Sequence, residues 1–553
     1  MATSARWQVF LAICALILLS VLLGYYVWAQ SLVYVPAQGG TYTEGLAGSP
    51  IYLNPLLSGF NEIDSDLCSL IFDGLTTIDA QGQVVPNLAR AWRVEDEGLS
   101  YVYELRQDVL WHDGAPFTVQ DVLFTVQQMQ DPAFAGPRAL ADFWRDIQVE
   151  ALDMYTVRFR LPQPFAPFPS YAAIGLLPSH LLAGVAARDL LNHPFNVAPI
   201  GTGPFRVADV DIESIVLERN PDDFRPRSYL DQLVFKFYPT HQALLEAYGD
   251  GEIDGISRVL ADGLDAVRAD ESLALHSAPT SGYTMVFLNL KVPVLAQAEV
   301  RQALLYGLDR QGLIDTVLAG QGVVAHSPIP DFSWAYNPEA PRYAHDPQRA
   351  ASLLDQAGWI VDSRDGVRRK GDLRLKFNLT YLDREPYAAL ALEMAQQWAA
   401  LGVLAVPQPV TAAEMVNDYL RPRHYDAALY EWTEMPPDPD LYALWHSTQA
   451  TATGQNLGGW DDDASDILLE EGRLQRDGAV RKRIYDEFQV RFADQVPALP
   501  LFRPVYSYAI SQRVHGVQLG PLWSGGDRFR GVQAWYVQTR RLAPREAQLL
   551  TEP

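Results

Sequence analysis

Four kinds of residue arrangement could carry chemistry in this chain: nucleophile–base sets, metal-ligand clusters, phosphate-cradling glycines, and loops that pair aromatic with acidic residues. The first three find no support. There is no HExxH, no GxSxG and no glycine-rich loop ending in Lys-Ser/Thr. Gly201-Thr202-Gly203 lacks the third glycine of a dinucleotide cradle and runs into Pro204, so it reads as a hinge or turn. The ten histidines are scattered, with no i, i+4 pair; His112 and His446 read as core or surface residues rather than metal ligands. Asp461-Asp462-Asp463 lacks the glycine that a calcium loop needs at its sixth position, and reads as a solvated turn or a helix N-cap cluster. Of the two cysteines, Cys14 lies in an apolar N-terminal run, which leaves Cys68 alone and excludes a CxxC site or an internal disulfide beyond that run. No catalytic residue, metal site or cofactor is assigned, and the chain is read as not being an enzyme.

The fourth arrangement is present. The sequence carries 13 Trp, 26 Tyr and 22 Phe, and such rings supply large, stiff contact area both in cores and around ligand clefts. Most must be core; Trp432, Trp460 and Trp523, beside prolines, glycines or acids, are expected in loops. The 553 residues carry 43 Lys+Arg against 67 Asp+Glu, a formal charge of −24, and 48% are apolar. That length and apolar content suit several packed domains. The acidity, without any basic run, excludes nucleic acid as a partner.

The elements that must position these loops alternate between short strands and amphipathic helices, which implies mixed α and β layers. Thr118 with Asp121, and Thr411 with Glu414, read as capping boxes. Asp346-Pro347 opens a helix that Gly358 closes, and Pro386 to Leu401 is a further helix stopped by Gly402. Tyr101–Leu105, Ile215–Glu218 and Met285–Leu288 read as strands. Pro162, Pro164, Pro167 and Pro169 read as a stiff, linker-like stretch. At the N-terminus, Arg6 precedes a run from Trp7 to Ala29 without a single charge. A run of about 20 apolar residues spans a bilayer, so one transmembrane anchor is expected, with cleavage after Val27-Trp28-Ala29 as the alternative; either way the bulk of the chain is exported.

Motifs in order along the chain resemble those of the extracellular solute-binding proteins of oligopeptide and dipeptide ABC importers, solute-binding family 5. They include Gly39-Gly40-Thr41, Leu53-Asn54-Pro55-Leu56, Phe72-Asp73-Gly74-Leu75, Pro86-Asn87-Leu88-Ala89-Arg90-Ala91-Trp92 and Trp111-His112-Asp113-Gly114. Gly201-Thr202-Gly203-Pro204-Phe205, Gly251-Glu252-Ile253-Asp254, Val300-Arg301-Gln302-Ala303-Leu304 and Leu353-Leu354-Asp355-Gln356-Ala357-Gly358-Trp359 continue the series. The resemblance implies an α/β, two-lobed periplasmic-binding-protein fold of the type II, large peptide-binding class, with an extra inserted domain after the N-terminal segment 1–29. Lobe I would comprise 38–75, 203–295 and 515–545, domain II 76–202, and lobe III 296–514. It also implies a monomeric receptor outside the cytoplasmic membrane, in the periplasm or at the cell surface, that closes on a peptide or other small solute and delivers it to ABC permease subunits.

By that resemblance, Ser58, Gly59, Phe60 and Asn61 face Glu431, Trp432, Thr433, Glu434 and Met435 across the cleft, unless these are only loop ends at a lobe edge. The peptide receptors place an Asp for the ligand's amino group where this chain has Met435, and Glu434 and Asp438 are the neighbouring acids that could replace it. Arg384 is a further anchor for an anion or an ordinary exposed arginine. The ligand class stays open between peptide, modified peptide, oligosaccharide and metal chelate, and the role between uptake and sensing, with an exported hydrolase as the rival.

Overall fold

In the computed structural model, which describes residues 2–544 and 546, a mixed sheet of twelve strands runs through the molecule. One long strand, Ala498–Ser511, belongs to both of its halves. Its first part pairs antiparallel with Tyr283–Leu288 and Gly322–Val324, and its second part pairs with Leu273–Pro279 and Gly255–Ile256. The chain passes from one half of the sheet to the other at two crossings, between Pro279 and Tyr283 and between Phe502 and Val505. Beyond the crossings, Thr41–Ala47 lies parallel to Gln232–Tyr238 on one side, and Ala427–Trp432 lies antiparallel to Tyr283–Leu288 on the other. A separate four-stranded antiparallel sheet, made of Ala89–Glu95, Ser100–Leu105, Thr156–Arg160 and Gln148–Asp153, builds the inserted region.

Local chemistry sets the helix ends as the residue types dictate. Asp121 Oδ2 accepts from the Thr118 N–H at 2.9 Å while the Thr118 hydroxyl accepts from Gln120, closing the capping box before Val119–Gln130. Thr411 and Glu414 make the same reciprocal bonds, and Asp346 caps Pro347–Gln356 by accepting from the Arg349 N–H. Asp462 resolves the acidic triplet: it accepts from the Ser465 N–H at 2.9 Å and caps Asp463–Leu474. The Gly201–Pro204 segment is a close crossing, since a Cβ on Gly201 would stand 1.8 Å from the Ile71 carbonyl oxygen. His112 ties it down, with Nδ1 accepting from the Gly201 N–H and Nε2–H donating to the Gly203 carbonyl. Burial pushes this imidazole down to about 4, so it serves as a neutral core residue.

One apolar core runs without interruption from the first half of the long sheet, through Tyr42, Leu67 and Phe235, into the inserted region at Tyr103, Phe159 and Phe168. The other half of the sheet has its own clusters, around Leu379, Trp398 and Leu499, and around Trp445, Phe488 and Phe492. The first of these halves and the four-stranded sheet thus share one core, and the other half packs separately.

Two expectations change. The proline-rich stretch is no linker: Phe165 and Phe168 are buried, and Phe168–Tyr171 is a short helix, because the rings between the prolines supply a packing face that proline spacing alone does not reveal. The N-terminal run forms a helix, Ala2–Ser31, long enough at about 1.5 Å per residue to match a bilayer. The side chains described in it run unbroken only from Ile13 to Leu23, however, and among the described residues no helix is long and apolar enough to cross a membrane. The expected transmembrane anchor is therefore not shown; Arg6 and the Val27-Trp28-Ala29 cleavage position have side chains outside the described ones.

Candidate ligand-binding cleft

The lobe I wall begins with a 3₁₀ turn, Ser58–Phe60, that leads into the helix Glu62–Ile71. Asn61 is that helix's N-cap: its side-chain oxygen accepts from the Ile63 N–H, and its amide donates to the Ser49 carbonyl at 2.9 Å. Its role is to hold the turn. Phe60 is exposed, and the Ser58 carbonyl accepts from the Ser65 hydroxyl at 2.9 Å. Ser58 and Gly59 line a cavity of about 380 Å³ whose far side is formed by Pro137, Leu140, Phe143 and Tyr171 of the insertion.

Facing it, the strand Ala427–Trp432 ends at the crossings and continues as the loop 433–440. Glu431 accepts from the Tyr387 hydroxyl. Trp432 is half-buried, its ring edge-on to Tyr430, and its indole N–H is buried without a hydrogen-bond partner. Trp460 and Trp523 lie in loops as expected but are buried, because each closes a core cluster or a ring contact (Trp460 against Phe488 and Phe492, Trp523 against Phe332). Met435 points into the core, and its N–H donates to the Ser281 hydroxyl at 2.9 Å, fixing the loop to the bend between Leu273–Pro279 and Tyr283–Leu288. Asp438 does not face the cleft as a free charge: Arg481 clasps it in two bonds of 2.7 and 2.9 Å. Thr433 and Glu434 are exposed. Arg384 is exposed, 5.3 Å over the Tyr387 ring.

Glu434 differs from every acid around it. Among the described residues it has no ion pair or hydrogen bond. Water reaches it, yet enough protein surrounds it that desolvation, followed by the charges of Asp527, Glu62 and Asp66, pushes its carboxyl up to about 7. Those three carboxylates stand on lobe I, each beside an arginine: Asp527 with Arg530 at 2.6 Å, Glu62 with Arg258 at 3.1 Å, and Asp66 with Arg528 at 2.6 Å. Arg528 is fully buried and also holds Glu44 at 2.8 Å, while Tyr42 and Tyr508 donate to Glu44 at 2.9 and 2.7 Å. Asp66 keeps one buried oxygen, Oδ1, without a partner, and burial pushes its carboxyl up to about 7 against the pull of Arg528. The cleft floor is thus a crevice in which carboxylates outnumber guanidiniums. Its complement is an ammonium or guanidinium group, whose arrival would restore Glu434 to its charged form.

The insertion reaches across to the other wall. The Ala166 N–H donates to the Arg473 carbonyl at 2.8 Å, and the Arg473 guanidinium lies 5.2 Å over Phe165 and 4.3 Å over Tyr442 while pairing with Asp440 at 2.8 Å. These contacts join the insertion to the opposite wall.

With that geometry in place, comparison with known proteins gives it a family. Residues 83–453 match the family model described as bacterial extracellular solute-binding proteins, family 5 middle. The chain belongs to this family. Among family 5 relatives, the oligopeptide-binding protein AppA of Bacillus subtilis (strain 168) is 27% identical over 494 residues, 88% of this chain and 90% of that protein. The dipeptide-binding protein of Escherichia coli (strain K12) is 26% identical over 471 residues, 81% of this chain and 86% of its own length. The solved structure of B. subtilis AppA with a nonapeptide superposes with a TM-score of 0.71 at 26% identity, covering 91% of this chain and all of that one (100%). NikZ from Campylobacter jejuni with Ni(L-His) gives 0.73 at 26% identity, covering 90% and 99%. The α/β binding-protein fold of family 5 is therefore this chain's fold.

The structure brings Glu434 near Asp527, Glu62 and Asp66, and sequence reasoning singled out neither these three acids nor Arg528. One signal was readable: Asp66 falls on the apolar face of its helix, between Ile63, Leu67 and Leu70, where an acid requires a buried partner.

Proposed function

We propose that this chain is the receptor of an ABC importer, which captures a peptide or peptide-like solute between its lobes and hands it to membrane permease subunits. The lobes would swing about the crossings at Pro279–Tyr283 and Phe502–Val505, with 38–75, 203 to the first crossing and the chain after the second forming lobe I, and 76–202 the insertion. The observation that carries the reading is Glu434, an acid without a counter-charge on one wall that faces the carboxylates of the other. The names of the family 5 relatives support a peptide as the solute. Of the two free cysteines, Cys14 lies in the N-terminal helix and Cys68 is buried, its thiol pushed well up by that burial, and we read the protein as a binder and not as a hydrolase. Ser58, Gly59, Trp432, Thr433 and Glu434 are the side chains and backbone we assign to the ligand, with Phe60 at the rim and Asn61, Glu431, Met435 and Asp438 holding the walls.

Isothermal calorimetry of the purified chain against di- and oligopeptides, nickel–histidine and oligosaccharides tests this. Saturable binding of peptides is expected. Binding of nickel–histidine alone would favour the chelate reading suggested by NikZ, and steady turnover of a peptide would return the hydrolase. The uncharged N-terminal stretch is read as the element that carries the chain out of the cytoplasm. Fractionation of expressing cells, with N-terminal sequencing of the recovered protein, distinguishes a retained anchor from a cleaved signal; recovery from the cytosol would overturn export.

A further inference from the structure

Val33–Ala37 and Gln538–Leu542 form an antiparallel ribbon apart from the twelve-stranded sheet, with Tyr34 opposite Arg541 and Val35 opposite Arg540. Its base is fixed to lobe I. Gly39 and Gly40 leave the first strand at φ +119° and +97°, and a Cβ on Gly40 would stand 2.3 Å from the Val537 side chain. The Gly39 N–H donates to the Tyr229 carbonyl at 2.8 Å, and ahead of the second strand Tyr536 exchanges backbone bonds of 2.8 and 3.0 Å with His515. The other end runs into the N-terminal helix, since only Leu32 separates Ser31 from Val33. The ribbon is therefore a short, stiff stalk and not a slack linker.

The stalk reverses the charge of the molecule. The chain carries −24 overall, yet no residue from 7 to 43 is charged, and no acid occurs between Asp527 and Glu546. Arg540 and Arg541 are exposed, and among the described residues neither pairs with a carboxylate. Arg541 instead lies 4.8 Å over the Tyr34 ring and donates to its hydroxyl. Val33 is 46% exposed and Tyr34 59%. At about 3.3 Å per residue, these four side chains all start within roughly 10 Å of the end of the apolar helix. Arginine beside exposed tyrosine at the end of an apolar helix is the make-up of a bilayer's headgroup zone. The acidic bulk is repelled by an anionic surface, whereas this end is attracted to one.

We propose that the ribbon docks end-on against the headgroups of an anionic phospholipid bilayer, with Arg540 and Arg541 on the phosphates and Tyr34 at headgroup depth. Because its base is fixed to lobe I, docking would hold that lobe at the membrane and leave lobe III free to swing. The inference goes beyond solute capture and does not depend on the solute. It also holds whether the N-terminal helix is kept or cut after Ala29, since both strands lie beyond that position.

Hydroxyl-radical footprinting of the full chain, read at Tyr34 by mass spectrometry, decides it. The protein is mixed with nanodiscs of phosphatidylcholine, or of an equimolar mixture with phosphatidylglycerol. Labelling of Tyr34 is expected to fall about fivefold or more in the anionic discs relative to the neutral ones, and to recover in high salt. Arg540→Gln with Arg541→Gln should abolish the difference between the two discs, while Arg540→Lys with Arg541→Lys keeps the charge and should preserve it. Both positions are exposed, and thermal unfolding of each variant confirms that it folds. Equal labelling of Tyr34 in the parent chain with either disc would overturn the docking. Protection that needs no lipid and grows with protein concentration would assign the ribbon to a second copy of this chain and overturn it as well. Dipeptide binding retained in either of these cases leaves solute capture standing.

Discussion

The two walls of the cleft treat negative charge in opposite ways. On lobe I, Glu44 and Asp66 are buried against Arg528, with tyrosine hydroxyls completing the shell around Glu44. On lobe III, Glu434 stands at the surface of the crevice without a counter-ion, although Asp438 a few residues away is clasped by Arg481. A paired, dry charge holds a scaffold, because separating it from its partner leaves an uncompensated ion in a medium of low polarity. An unpaired, wet charge holds nothing in the empty protein and is free to meet a solute. The difference separates residues that build the cleft from those that read what enters it.

Breaking the scaffold should produce the largest effect. Arg528→Met strands Glu44 and Asp66, and is expected to lower stability by about 3–5 kcal/mol or to prevent folding, as urea unfolding will show. Removing the unpaired charge should act on binding and not on folding. Glu434→Gln is expected to weaken a cationic dipeptide by about 1–2 kcal/mol in calorimetry while leaving the unfolding midpoint unchanged or raised. A matching fall in stability would mean that Glu434 belongs to the scaffold after all. Arg473→Ala removes ring contacts that hold the walls together, and should cost roughly 1 kcal/mol of affinity, expressed in a faster off-rate by stopped-flow.

The smallest effect is on pH dependence. Glu434 and Asp66 have folded-state values of about 7, above the ordinary carboxyl range near 4, so between these values the folded state holds more protons than the unfolded chain. The stability they contribute is complete below about pH 4 and is lost as pH rises through 7. The empty protein should therefore melt higher at pH 6 than at pH 8, with a shallower slope in Glu434→Gln. Affinity for a cationic dipeptide should change in the other direction and fall as pH drops through 7. A melting point that rises between pH 6 and pH 8 would count against the carboxylate crevice.

Much of the scaffold was legible because its causes are local. The Thr118–Asp121 and Thr411–Glu414 boxes, the Asp346–Pro347 start and the strand at Met285–Leu288 each follow from residues within a few positions of one another. The charged hub was not legible, since nothing near Glu44 in sequence announces Arg528. Whether Asp438 or Glu434 carried the free charge depended on Arg481, a residue on a later helix that reaches only one of them. The prolines between 162 and 169 mark bends but not burial, so a packed bridge to the other wall looked like a linker.

Glu44 and Arg528 are 484 positions apart, and Tyr42 and Tyr508 nearly as far. A polypeptide threaded through a membrane from its N-terminus would deliver the first sheet long before its counter-charge emerged. Until then, an acid destined for a dry interior would have to remain in water, and the lobe around it could not mature. Such a chain must stay pliable through almost the whole of its passage and then set all at once, which suits a protein that has to reach the outside unfolded and work there folded.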